Sequence, residues 1–163
     1  MDPPERRGRI FTFYSRVFGT TRPAMWMSKT FVWKLDPIVL RLTRGRVGLA
    51  PALPTAILET RGARTGELRR NAVIYFHDGE RVTVVASKFG YPQNPAWFYN
   101  ARANPDVVFG GQRCRATVVE SDAERERLWD LADRVFPPFA IYRERAAKAG
   151  RTIPILQLEP TTT

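Results

Sequence analysis

Residues 55–87, "TAILETRGARTGELRRNAVIYFHDGERVTVVAS", decide the fold. Short runs rich in Val, Ile, Thr and aromatics alternate with turn residues, which is the pattern of strands. "TAILETR" (55–61), "RRNAVIYFH" (69–77) and "RVTVVAS" (81–87) are the expected strands, and Asp78-Gly79 suits a tight hairpin between the last two. Downstream, "DVVFGGQRCRATVVES" (106–121) repeats the pattern with Gly110-Gly111 at its turn, and "RTIPILQLEP" (151–160) returns as a closing strand. Sequential hairpins favour an antiparallel barrel over a parallel sheet, whose strands need long crossovers.

Three helices decorate this barrel. Asn94 is placed to cap a helix whose first turn carries Pro95, and Asn104-Pro105 ends it. A second follows Ser121 or Asp122, with Leu128, Leu131, Ala132 and Val135 on one face. A third runs over 138–149 and stops at Gly150. The expected class is therefore α+β, mainly β: a barrel with peripheral helices. Residues 1–50 read as a basic amphipathic helical arm broken at Pro23 and Pro37, and residues 51–163 as the barrel domain.

The chain of 163 residues carries a formal net charge of +10. Residues 1–46 hold ten basic side chains against Asp2, Glu5 and Asp36, so most of the excess precedes the barrel. Such a charge calls for an anionic partner: nucleic acid, anionic lipid or a polyanionic cofactor. No nucleic-acid reading motif is present, so specific nucleic-acid binding is not expected. One cysteine, Cys114, and one histidine, His77, exclude an internal disulfide and a multi-imidazole or multi-thiolate metal site. No apolar run reaches the length of a membrane-spanning helix, and "MDPPERRGRI" lacks the pattern of a signal peptide. A cytoplasmic protein is expected, with possible peripheral contact at the inner face of the plasma membrane through residues 1–46.

Two stretches could hold an anion. In "TRGARTGELRR" (60–70), Gly62 and Gly66 can turn backbone N–H groups toward an oxyanion, Thr65 adds a hydroxyl and Arg64 a guanidinium fork. The spacing is not that of a Walker loop. In "ASKFGYPQNPAWFYNARANP" (86–105), Ser87 and Lys88 end a strand, and the helix start at Asn94-Pro95 offers free N–H groups to negative charge, with Trp97 available to flank a ring. A serine triad cannot be assembled with His77 beside a hairpin turn. So few groups for hard chemistry imply that a cofactor carries it.

Taken in order, "ETRGARTGELRR", "ASKFGYPQNPAWFYNARANP" and "GRTIPILQLEP" resemble the deazaflavin-dependent nitroreductase family, over about residues 55–160. The resemblance implies a split β-barrel of the flavin-reductase/FMN-binding type and the cofactor F-420, a deazaflavin bearing a phosphate and an oligoglutamate tail. It further implies that Gly62, Arg64, Thr65 and Gly66 hold the phosphate, with Arg69 and Arg70 toward the tail. Ala86, Ser87 and Lys88 would line the ring region, and Asn94, Pro95 and Trp97 close its far side. The implied reaction is hydride transfer from the reduced deazaflavin to a quinone-like or other planar organic acceptor. Tyr75, Ser87 and Tyr142 are the candidates for hydrogen bonding or protonating the acceptor, in a pocket of Tyr75, Phe136, Phe139 and Tyr142. Family members that reduce nitroimidazoles carry more tyrosines where this chain has Phe136 and Phe139, which points here to a quinone-like acceptor. The alternatives are an FMN-dependent oxidoreductase on the same barrel and a non-catalytic deazaflavin-binding or membrane-surface protein. Monomer and dimer both remain open.

Overall fold

Alternation along β2 (Leu68–Asp78) sorts the core into two parts. Val73 and Tyr75 pack against one hydrophobic cluster and Ile74 and Phe76 against another, as a strand with a side-chain period of two requires. The structure, a computed structural model, describes residues 53–161. The arm expected over residues 1–50, with its lipid contact through 1–46, lies outside the described residues.

β2 joins β1 (Thr55–Arg61), β3 (Arg81–Val85), β4 (Asp106–Phe109), β5 (Gln112–Val118) and β6 (Ile155–Pro160) in a closed antiparallel barrel of order β1-β2-β3-β6-β5-β4. β1 and β4 complete the ring, with Leu58 opposite Phe109 and Glu59 opposite Val108. β6 arrives last in the chain yet lies between β3 and β5, pairing Val84 with Leu156 and Ala116 with Leu158. Closure removes the exposed edges that an open sheet would present. The β4–β5 hairpin turns on Gly110 and Gly111, both at positive φ (56° and 90°), the conformation that two-residue hairpin loops demand.

Three helices complete the described fold: α1 (Ala96–Ala103), α2 (Asp122–Val135) and α3 (Pro138–Lys148). Trp97, Phe98 and Ala101 of α1 join Leu58, Val84, Leu156 and Leu158 in the first cluster, inside the barrel. α2 and α3 cover the other face of β2, β3 and β6. Their Leu128, Trp129, Ala132, Phe136, Phe139 and Tyr142 pack on Phe76, Val85 and Ile155. Ser121 caps α2 as expected, its Oγ accepting from the Glu124 N–H at 3.4 Å. The edge-on pairs Phe136–Phe139 (5.1 Å between centroids) and Trp129–Phe139 (6.1 Å) each add about 0.5–1.5 kcal/mol beyond their buried area.

Two boundaries differ from expectation. β3 ends at Val85 rather than Ser87, because Lys88 and Phe89 enter the left-handed region (φ 45° and 56°) and Lys88–Gly90 forms a single 3₁₀ turn. α1 starts at Ala96 with Pro95 as its cap residue, so Asn94 does not cap it. The Asn94 side chain is engaged by Arg151 instead.

Candidate functional site

The β1–β2 turn closes on itself. The Gly62 N–H donates to Glu67 O and the Gly66 N–H to Gly62 O, both at 2.8 Å, while the Glu67 N–H reaches Thr65 Oγ1 at 3.4 Å. The Ala63 N–H donates to Asn100 Oδ1 at 3.0 Å. The amides of Gly62 and Gly66, expected to face an anion, are therefore already used, and the two glycines serve the shape of the turn. A Cβ on Gly62 would meet Thr65 Oγ1 at 2.8 Å, and Gly66 sits at φ +70°. What the turn offers a ligand is the exposed Arg64 guanidinium and the Thr65 hydroxyl, which can donate while its oxygen accepts from Glu67.

Asn100 fixes this turn to α1 and was not visible as a functional residue in the sequence. It is 9% exposed, and its Nδ2 donates to Thr60 Oγ1 at 3.3 Å while its Oδ1 holds the Ala63 amide. One helical turn later, Asn104 Nδ2 donates to Arg61 O at 3.4 Å. The end of β1 and the turn after it thus run beside the C-terminal half of α1.

At the other end of α1, the chain leaves the barrel through Ala86, fully buried in the inner cluster, and turns at Ser87. Ser87 O accepts from the Gly90 N–H and Lys88 O from the Tyr91 N–H, each at 3.0 Å. Lys88 Nζ donates to Asn94 O at 3.5 Å, which puts its charge beside the start of α1. Gly90 is dictated by contact as well as by its φ of +76°, since a Cβ there would lie 2.5 Å from Tyr142 O. Arg151 holds the segment from beneath: its Nε donates to Asn94 Oδ1 at 2.7 Å, Nη1 to Tyr91 O, and Nη2 to Ala86 O and, at 3.2 Å, to Ser87 O.

Several residues expected at the site stand elsewhere. Arg69 and Arg70 are ion-paired with Glu67 and Glu59, a consequence of strand register that places Glu59 opposite Arg70. Trp97 and Pro95 are buried, Trp97 at 4% exposure in the barrel interior, so Trp97 is not a ring platform. The pocket expected from Phe136, Phe139 and Tyr142 is filled by those rings, which pack on one another and on Trp129 in the helix layer. Tyr75 packs on the inner cluster, its ring 5.2 Å from Phe109, and the wall of β2 separates it from Tyr142. The trio Tyr75, Ser87 and Tyr142 is not gathered at one point. Tyr142 does support the segment indirectly, with Phe89 at 5.8 Å, and burial pushes its phenol pKa up to about 12, so it keeps its proton. Burial likewise pushes the Cys114 thiol pKa up, away from a reactive thiolate.

Charge pairing and position together mark the flanks of α1. Seven arginines are taken up in ion pairs with carboxylates: Arg69, Arg70, Arg81, Arg115, Arg125, Arg127 and Arg143. Among the described residues, Arg61, Arg64 and Lys88 have no carboxylate partner, and neither do Arg102, Arg113, Arg134, Lys148 and Arg151; what sets the first three apart is their place at the two ends of α1. Cations at both ends of α1, with a helix N-terminus at one of them, suit a ligand that carries several negative charges.

A sequence profile described as F420H(2)-dependent quinone reductase matches residues 35–160. An F420H(2)-dependent quinone reductase of Mycobacterium tuberculosis is 33% identical over 132 residues, covering 77% of this chain and 87% of its own. A solved F420-H2 dependent reductase (FDR-A) superimposes with a TM-score of 0.56 at 32% identity, over 65% of this chain and 94% of that one. A second solved structure, described as a domain-swapped dimer, gives a TM-score of 0.59 at 29% identity, over 84% of this chain and 99% of that one.

Proposed function

The chain belongs to the F420H(2)-dependent quinone reductase family, and from that membership we propose how its own residues serve the reaction. The protein is an F-420-dependent oxidoreductase whose acceptor is a quinone; family membership decides for F-420 over FMN. Bound F-420, in its reduced form, supplies the hydride. Reduction of a quinone to the hydroquinone takes up that hydride and one proton, and the chain must place the acceptor and steady the charge that develops on its oxygen.

The observation that carries the site assignment is the placement of three cations beside α1, Lys88 at its start and Arg61 and Arg64 beside its C-terminal half. Arg64, with the Thr65 hydroxyl beside it, is assigned to the phosphate and tail of F-420. Lys88 is assigned to the end near Ser87, where the start of α1 adds its partial positive charge. Donors of this kind fit a polyanion; Arg69 and Arg70, held by Glu67 and Glu59, are left out. Ser87 is half-buried at the mouth of the barrel, and its hydroxyl is assigned to the acceptor oxygen. Phe89, packed on Tyr142, is the nearest aromatic support for that end of the site.

The test is a fluorescence titration with F-420 on the full chain and on Arg64→Ala and Lys88→Ala, followed by turnover of reduced F-420 with menadione. Weaker F-420 binding in both variants, with the menadione KM unchanged, supports the assignment. Unchanged binding in both removes it.

Two further parts of the reading go beyond the described residues. The basic arm at residues 1–46 is proposed to touch anionic lipid, and loss of vesicle binding without loss of turnover on its deletion supports that role. Self-association is proposed by likeness to the solved domain-swapped dimer, and light scattering on the purified chain decides it. Among the described residues no helix is long and apolar enough to cross a membrane.

A further inference from the structure

Arg151 is 9% exposed and has no carboxylate within reach among the described residues, which is an expensive way to bury a guanidinium unless its donors are all used. Here four of its five donors are used on one segment. Four bonds run to Ala86 O, Ser87 O, Tyr91 O and Asn94 Oδ1, at sequence separations of 57–65 residues. Those acceptors bracket the left-handed run Lys88, Phe89 and Gly90 (φ 45°, 56° and 76°), a conformation that Lys and Phe hold only when their surroundings impose it.

The guanidinium comes from a fixed point. α3 ends in a Schellman motif, with the Gly150 N–H bonded to Ala147 O and the Arg151 N–H to Ala146 O, both at 2.9 Å, and Gly150 at φ +70°. The chain then runs alongside the segment it supports, where Pro154 O accepts from the Ala86 N–H at 3.0 Å. Burial lowers the Arg151 pKa and the nearby Tyr99 raises it; a guanidinium remains charged under either influence. A cation without a carboxylate beneath Ser87 and Lys88 also adds its field to theirs.

We infer that Arg151 is the positioning residue of the Ser87–Lys88 segment: by clamping the carbonyls of Ala86, Ser87 and Tyr91 and the Asn94 side chain, it holds the left-handed turn that delivers Lys88 to the start of α1. This rests on the reading of that segment as part of the F-420 site. It assigns a role toward F-420 to a buried residue through the segment that it holds.

The test uses the full chain with Arg151→Lys, which keeps the charge and loses the fork, and Arg151→Gln, which loses both. Two readouts are taken: amide hydrogen exchange at Gly90 and Tyr91 without cofactor, and the F-420 dissociation constant by fluorescence. If Arg151→Gln does not fold, Arg151→Lys together with Asn94→Ala carries the test. The expected result is faster exchange at both amides and F-420 binding weakened at least about tenfold, more in Gln than in Lys. Faster exchange with F-420 affinity within about twofold of wild type makes Arg151 merely structural and overturns the inference, as does unchanged exchange. A wild-type chain that binds no F-420 overturns the reading of the site itself, and the inference with it; wild-type binding that the variants retain overturns the inference alone.

Discussion

The 62–67 turn is exposed and satisfies the amides of Gly62, Gly66 and Glu67 within itself, whereas residues 86–90 are buried or half-buried and the 86–94 segment is held by a buried arginine. Both flank α1, and both are tied to an asparagine: Asn100 fixes the first, and Asn94 helps to fix the second. The first presents side chains, Arg64 and Thr65, from a frame that any ligand leaves undisturbed. The second presents Ser87 and Lys88 from a backbone that would relax without external support. One ligand can thus be gripped at a tolerant outer point and oriented at an intolerant inner one, which is what a reaction at a single ring carbon requires.

The paired glycines give the sharpest way to break this contrast. Gly90→Ala forces a Cβ to within 2.5 Å of Tyr142 O and 2.8 Å of Arg145 Cβ at a φ of +76°. A loss of about 3 kcal/mol or more in urea denaturation is expected, with loss of F-420 binding. A mild effect there would mean that the inner segment is as tolerant as the outer turn. Next comes Lys88→Ala, for which F-420 affinity falls about tenfold to a hundredfold, the worth of one partly shielded charge-assisted contact. Arg64→Ala follows, with a loss of about tenfold at low salt that shrinks toward nothing as salt screens an exposed site. If Arg64 proved less sensitive to salt than Lys88, the assignment of outer and inner ends would reverse. The smallest effect belongs to Gly66→Ala, at φ +70° with nothing within 4 Å of the added Cβ. About 1 kcal/mol of stability is lost by thermal melting and F-420 affinity is unchanged.

The same contrast explains what could be read from the residues alone. Strands, hairpin turns and the Ser121 cap depend on neighbours in sequence, so alternation and turn chemistry disclosed them. The three ordered motifs disclosed the family. Arg69 and Arg70 looked like anion ligands because only strand pairing brings Glu59 across from Arg70 and engages that exposed cation with a carboxylate. Trp97 and the Phe136–Tyr142 rings looked like ligand walls because burial, not composition, decides between wall and core. Arg151 and Asn100 were silent for a related reason: their partners lie 37 to 65 residues away, and no local pattern announces such contacts. The left-handed Lys88 and Phe89 were hidden too, since neither residue type favours that conformation and only the clamp and the packing of Tyr142 make it stable.

The most direct measurement is a parallel titration of the full chain with oxidised F-420 and with FMN, followed by cofactor fluorescence. Saturable F-420 binding that excess FMN does not displace, and that Arg64→Ala and Lys88→Ala each weaken, is the result predicted by a polyanion site along α1. FMN binding as tightly as F-420, or F-420 binding indifferent to both substitutions, would contradict it.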